Sequence, residues 1–208
     1  MFTEALPWPA LSFDATFPKP VAMPEPAPVA DEALVAATLR GDEQAFAQIV
    51  RRYKARVFAS AARFGRGDQQ LDDIAQEVFV RVFRNLGKFR GDAPFEHWLA
   101  RIIVSACYDF LRTERRVREQ VALDAIEYEV RDLTIDSALE ARRARELLAF
   151  AMSRLAPDEQ LVVTLCEIEE RPIREVAELT GWSEGNVKVR AFRARQNLKK
   201  ILENSHER

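Results

Sequence analysis

The sequence predicts an all-α protein: two small helical domains, a four-helix bundle and a helix-turn-helix domain, joined by a flexible linker. Three observations predict it. Apolar residues recur at steps of three and four through two long blocks, and no alternating strand pattern reaches useful length. Glycine is scarce, at 7 residues, while Ala, Leu, Glu and Arg are plentiful, which suits helices. Between the blocks lies a stretch, residues 117–138, where no period holds and six acids face two bases.

The elements follow in order. Residues 1–30 hold seven of the ten prolines. Proline fixes φ and removes a hydrogen-bond donor, so this is an extended or disordered tail. Its aromatics (Phe2, Trp8, Phe13, Phe17) leave two readings open: a floppy leader, or a tail that docks on the body or on a partner. The bundle spans residues 31–116. Asp31 is expected to cap a short first helix that Gly41 ends. The second helix buries Ala45, Phe46, Ile49, Val50, Tyr53, Val57, Ala61 and Phe64. Gly65-Arg66-Gly67-Asp68 breaks the chain before a third helix, about Leu71 to Leu86, with Ile74, Val78, Phe79, Val82, Phe83 and Leu86 inward. A turn-rich loop, Gly87 to Pro94, precedes a fourth helix whose inner side carries Phe95, Trp98, Leu99, Ile102, Ile103, Ala106, Cys107, Phe110 and Leu111. The second domain covers residues 139–203. Leu147, Leu148, Ala151, Met152 and Leu155 form one face, and Pro157 opens the next helix beside Asp158 and Glu159.

Composition excludes several functions. Lys plus Arg is 31 and Asp plus Glu is 33, a formal charge of −2, so the chain is no strongly basic nucleic-acid coat. The bundle carries 15 bases against 12 acids and residues 139–208 carry 13 against 12; acid in the tail and linker hides two mildly basic domains. With Cys107 and Cys166 far apart, two His and no CxxC, neither a zinc site nor a disulfide framework is expected. The longest apolar run, Leu147 to Met152, is far short of the ~20 residues of a bilayer span. The start, MFTEALPWPA, has neither the basic nor the apolar part of a signal peptide. The expectation is a soluble cytoplasmic protein without cofactor.

The strongest motif lies in Ile173 to Leu202. Ala177, Gly181 and Val187 sit where a helix-turn-helix needs a small residue at the crossing, a glycine with φ > 0 in the turn, and a branched residue pinning the second helix. Ser183 can cap that second helix. Val187, Ala191, Ala194, Leu198 and Ile201 then face inward, leaving Lys188, Val189, Phe192, Arg193 and Gln196 outward, with Asn186 and Arg190 nearby. From Lys188 to Lys200 there are six bases and no acid. Such a face suits the major groove, bases meeting phosphate or guanine and apolar groups meeting thymine methyls. A merely solvated cationic face is the alternative.

Two weaker features lie in the bundle. Asp72, Asp73, Gln76 and Glu77 line the outer face of the third helix. No His or second carboxylate cluster completes a metal site, so a docking surface for a basic partner stands against an ordinary solvated face. The loop and fourth helix interleave Lys88, Phe89, Arg90, Phe95, Trp98, Arg101, Tyr108, Arg112, Arg115 and Arg116. Aromatics among arginines hold unstacked single strands, or are plain surface. No nucleophile–base pair or phosphate loop supports an enzyme.

Together these pieces resemble the bacterial sigma factors of the extracytoplasmic-function group, within the sigma-70 superfamily, over about residues 31–203. Asp72-Asp73-Ile74-Ala75-Gln76-Glu77-Val78-Phe79 is similar to the core-binding helix of region 2. FRGDAPFEHWLARI, Phe89 to Ile102, is similar to the loop and helix that read the minus-ten element. Leu155-Ala156-Pro157-Asp158-Glu159-Gln160 is similar to the start of region 4. The resemblance implies a non-enzymatic initiation factor whose partners are core RNA polymerase, promoter DNA and an anti-sigma factor, in a stress or envelope response. It implies that Asp72, Asp73, Gln76, Glu77 and Arg81 engage polymerase. Lys88, Phe89, Arg90, Asp92, Phe95, Trp98, Arg101, Ser105, Arg112, Arg115 and Arg116 would serve the minus-ten element. Ser183, Asn186, Lys188, Val189, Arg190, Phe192, Arg193 and Gln196 would serve the minus-thirty-five element. The acidic linker would thread the polymerase channel otherwise used by RNA. Two positions depart from the pattern: Ser105 stands where Asn is common, and Val189 where a small polar residue is.

Overall fold

The structure, a computed structural model, describes residues 29–121 and 137–206. The Pro-rich tail and most of the expected linker lie outside the described residues. Every regular element among the described residues is helical: α1 Asp31–Leu39, α2 Glu43–Ala61, α3 Gly67–Asn85, α4 Phe95–Val121, α5 Ser137–Arg154, α6 Pro157–Val163, α7 Ile173–Thr180 and α8 Glu184–His206.

The ends of the helices follow from local chemistry. Asp42 caps α2, its Oδ1 accepting from the backbone N–H of Gln44 (2.9 Å) and of Ala45 (3.1 Å). Asp31 does not cap α1. Ala30 holds the cap position, and the Asp31 carboxylate instead accepts from the Tyr53 hydroxyl at 2.5 Å and pairs with Arg52. Asp31 thus staples α1 to α2. Burial, then the hydrogen bond to Asp31, holds the Tyr53 phenol protonated well above its ordinary range. α4 runs past Arg116 to Val121, so the first residues of the expected linker are helical. An Arg115–Glu119 pair at 2.6 Å supports that extension, one turn apart on the helix.

Inside the bundle, Ile49, Tyr53, Val57, Ile74, Val78, Val82, Leu86, Leu99, Ile103 and Cys107 are buried. Phe83, expected inward, is 59% exposed. It leans edge-on against Phe46, ring centres 5.0 Å apart, at the rim of the core. The seven-residue step from Gln76 to Phe83 puts both on one helix face, so Phe83 follows the exposed residue rather than the buried Val82. Leu148, also expected inward, is 43% exposed.

The two helical units are not separate. One apolar core contains Leu99, Ile103, Cys107 and Leu111 of the bundle together with Leu161, Val162, Leu165, Val176 and Val187 of the second unit. The chain after α6 widens into a π turn, Thr164–Ile168, in which the Glu169 N–H reaches the Thr164 carbonyl at 2.9 Å. The widened turn leads into a loop whose Glu169 carboxylate is nearly buried. Arg171 holds it at 2.5 Å, and Arg63 reaches across from the bundle at 3.3 Å. Glu170 takes a left-handed φ of 53° in the loop, an unusual choice for a residue other than glycine, asparagine or aspartate. Tyr108, one of the aromatics that the sequence interleaves with arginines, packs edge-on against Trp182 at 5.7 Å.

Candidate nucleic-acid interface

Two surfaces carry the predicted residues. The first is the exposed side of α8. Gly181 ends α7 with φ 74°, the left-handed conformation a glycine adopts without strain, and its N–H bonds the Ala177 carbonyl at 2.9 Å. Ser183 Oγ then accepts from the Asn186 N–H at 3.2 Å and starts α8. Val176, Val187, Ala191 and Ala194 are buried, which fixes the rotation of α8 about its axis. Lys188, Val189, Phe192, Arg193 and Gln196 are consequently exposed, Phe192 to 62% and Val189 to 50%. From Lys188 to Gln196 the helix rises about 12 Å, close to the width of the major groove. Among the described residues, neither Lys188 nor Arg193 makes an ion pair.

Arg190 is different. The sequence puts it on the DNA face, but its guanidinium pairs with Asp158 at the start of α6, lies over the Trp182 ring at 4.4 Å and donates to Asn186 Oδ1 at 2.5 Å. Position along the helix sets Arg190 beside the outward residues; only the fold brings Asp158 within reach. Ser183 and Asn186 are likewise occupied by capping and by Arg190. Arg195 is held by Glu167 at 2.7 Å.

The second surface is a groove of about 520 Å³ between α3 and α4. Glu77, Arg81, Arg84, Lys88, Trp98, Arg101 and Ser105 line it. Arg84 is a lining residue that the motifs do not single out; a base one turn after Arg81 near the end of α3 is the available signal. Lys88 Nζ donates to Asn85 Oδ1 at 2.8 Å. Arg90, Asp92, Arg112 and Arg116 are exposed along the loop and the far part of α4. Arg112 stacks over Tyr108 at 5.8 Å, beside the second unit. Arg115 is taken by Glu119.

Phe95 does not reach the surface. It is 1% exposed and sits among Tyr53, Phe89 and Trp98, with ring centres 5.3–5.4 Å away. This cluster pins the loop from Gly87 to Pro94 to the start of α4. Trp98, half-buried, is the ring of the cluster that opens onto the groove.

Asp72, Asp73, Gln76 and Glu77 are all exposed on the outer side of α3. Arg81, predicted alongside them, crosses instead to α4. Its guanidinium bonds Glu77 Oε1 at 2.6 Å, Asp109 Oδ2 at 2.8 Å and Ser105 Oγ at 3.2 Å. Burial works against the charge, yet the bonds to Glu77 and Asp109 outweigh it and raise Arg81 above the ordinary arginine range.

A helix-turn-helix with a free cationic face, plus a cation- and aromatic-lined groove on a second helical unit, is the arrangement of a DNA-binding protein. Comparison with known proteins agrees. Residues 49–117 match the family Sigma-70 region 2, and residues 145–198 match Sigma-70, region 4. The chain is 32% identical over 174 residues to the ECF RNA polymerase sigma factor SigM of Mycobacterium tuberculosis, covering 83% of this chain and 84% of that protein. The structure of CnrH in complex with the cytosolic domain of CnrY matches with a TM-score of 0.52 and 28% identity, over 84% of this chain and 97% of that one. The sigma factor RpoE from Bartonella quintana, in complex with the anti-sigma factor NepR, has the same fold at a TM-score of 0.50 and 20% identity, over 76% and 96%. The chain belongs to the extracytoplasmic-function sigma factors of the sigma-70 family. It is a non-enzymatic initiation factor that binds core RNA polymerase and promoter DNA. Among the described residues, no helix is long and apolar enough to cross a membrane.

Proposed function

We propose that the exposed face of α8 reads the minus-thirty-five element, that the groove between α3 and α4 receives the minus-ten strand, and that the outer face of α3 docks on core polymerase. The observation that carries this reading is the free set Lys188, Val189, Phe192, Arg193 and Gln196, held outward by the burial of Val187, Ala191 and Ala194. In the groove, Trp98 offers a stacking face and Arg84 and Arg101 offer cations, as single-strand binding requires. The two units are close to neutral, so binding of promoter DNA by the free chain at physiological salt is weak, and polymerase supplies the remaining contacts.

The packing of the two units bears on regulation. Elements some 25 base pairs apart lie about 85 Å apart along B-DNA. Here the fourth helix and the helix-turn-helix touch through Tyr108 and Trp182. Promoter engagement therefore needs the units to part, and a protein that clamps them together keeps the factor silent. An anti-sigma factor is such a partner; CnrH likewise is held in complex with a second protein, the cytosolic domain of CnrY. We also propose a cytoplasmic location; the cytosolic domain that binds CnrH supports it.

Run-off transcription with purified core polymerase, followed by mapping of start sites, tests the reading. Initiation at a discrete promoter class is expected. Failure to associate with polymerase, or tight sequence-specific binding without it, would leave a free-standing helix-turn-helix regulator as the better account.

A further inference from the structure

The groove holds an imbalance that the two reading surfaces do not explain. Four cations line it: Arg81, Arg84, Lys88 and Arg101. Among the described residues, Arg81 is the one of these four that makes ion pairs, and both partners are carboxylates. One of them, Glu77, is itself one of the docking residues of α3 and keeps about half of its side chain in solvent. The other, Asp109, stands on α4 and has Arg112 as a second neighbour at 4.0 Å. A DNA phosphate entering the groove therefore meets Arg81 already neutralised.

We propose that Arg81 is a positioning residue that couples polymerase docking to strand binding: a cationic polymerase surface draws Glu77 away, and Arg81 turns to a phosphate of the minus-ten strand. The inference rests on the assignments of the docking face and the groove made above. Its physical basis is competition. A carboxylate cannot serve a polymerase cation and Arg81 at full strength together, while Asp109 retains Arg112 when Arg81 leaves. By linkage, the strand strengthens polymerase docking by the same factor. Charge that would favour indiscriminate binding of nucleic acid thus stays masked until the polymerase is in place.

The test uses the full chain and a labelled single-stranded oligonucleotide carrying the minus-ten sequence of a promoter mapped by run-off transcription. Anisotropy is followed over a salt series without polymerase. Glu77→Gln removes one of the two masking charges, leaving Asp109 shared between Arg81 and Arg112, and is expected to tighten binding about threefold, the scale of one exposed ion pair. The slope of log affinity against log salt should steepen by about 0.7, one additional strand phosphate. In the Glu77→Gln background, Arg81→Gln should abolish both gains. Arg81→Lys, which keeps the charge, should retain the steeper slope. Asp68→Asn, the same charge change in the first turn of α3, should change neither. Thermal unfolding of each variant reports folding separately.

If Glu77→Gln leaves affinity and slope at wild-type values, or if its gain survives Arg81→Gln, the coupling is wrong while the groove assignment stands. If the wild-type chain does not initiate with polymerase, the assignment beneath the inference fails first.

Discussion

The groove between α3 and α4 and the exposed face of α8 differ in where their paired cations stand: Arg81 is held inside the groove, whereas the paired arginines of α8 stand beside its open face. In the groove Arg81 is bound by two carboxylates and Lys88 by an amide. On α8 Lys188 and Arg193 are left open, and the arginines that are satisfied, Arg190 and Arg195, are tied to Asp158 and Glu167 at the sides. A duplex groove has a rigid, known width, so a helix can present its contacts in advance. A single strand has no fixed shape until the duplex opens, and a groove that bared Arg81 beside Arg84 and Arg101 would hold more free charge for any strand. Masking suits the second surface and presentation suits the first.

The comparison breaks most visibly where the groove's architecture is removed. Phe95→Ala should cost about 3–5 kcal/mol of stability, because the ring is buried and supports the loop to Pro94. Thermal unfolding checks this, with a fall of roughly 10 °C expected for a chain of this size. Replacing Lys188 and Arg193 together by alanine should leave the melting temperature almost unchanged, since both are exposed. Promoter-directed initiation should fall on the order of a hundredfold, at about 1–3 kcal/mol for each good contact. Run-off yields from one template decide it; unchanged start-site choice would remove α8 from promoter reading.

A smaller effect sharpens the link between the two surfaces. Tyr108→Ala removes an edge-on aromatic contact of about 1 kcal/mol between the units. Small-angle scattering should show a larger average radius. An unchanged radius would mean that the shared apolar core alone sets the closure. The last effect is alkaline and confined to high pH. Burial first, and the nearby Glu169 charge second, push the Cys107 thiol up to about 12. The unfolded chain releases that proton near 9, so above this pH the unfolded state binds fewer protons than the folded one. The contribution of Cys107 to stability is complete below pH about 9 and is lost as pH rises toward about 12. Denaturation midpoints of wild type and Cys107→Ala across that range should converge; parallel curves would count against a buried thiol.

Much of this architecture is legible in the residues alone. The steps of three and four locate the helices, because a stripe of apolar residues must be buried on one side of each. Gly181 is fixed by a backbone conformation, and its role follows from the local turn alone. Phe83 misleads because an apolar residue at a helical step looks buried until the neighbouring helix is in place. Arg81 and Arg190 mislead for the converse reason. A cation next to a binding face looks free until a carboxylate from a distant segment, Asp109 or Asp158, is brought beside it.

Local pattern determined the helices, the capped turn before α8 and the outward set on that helix, since each depends on residues a few positions apart. Tertiary packing decided which charges are masked, which aromatics support rather than bind, and that the two units share a core. Those outcomes depend on segments remote in the chain meeting in space, and no periodicity along one helix encodes its partner on another.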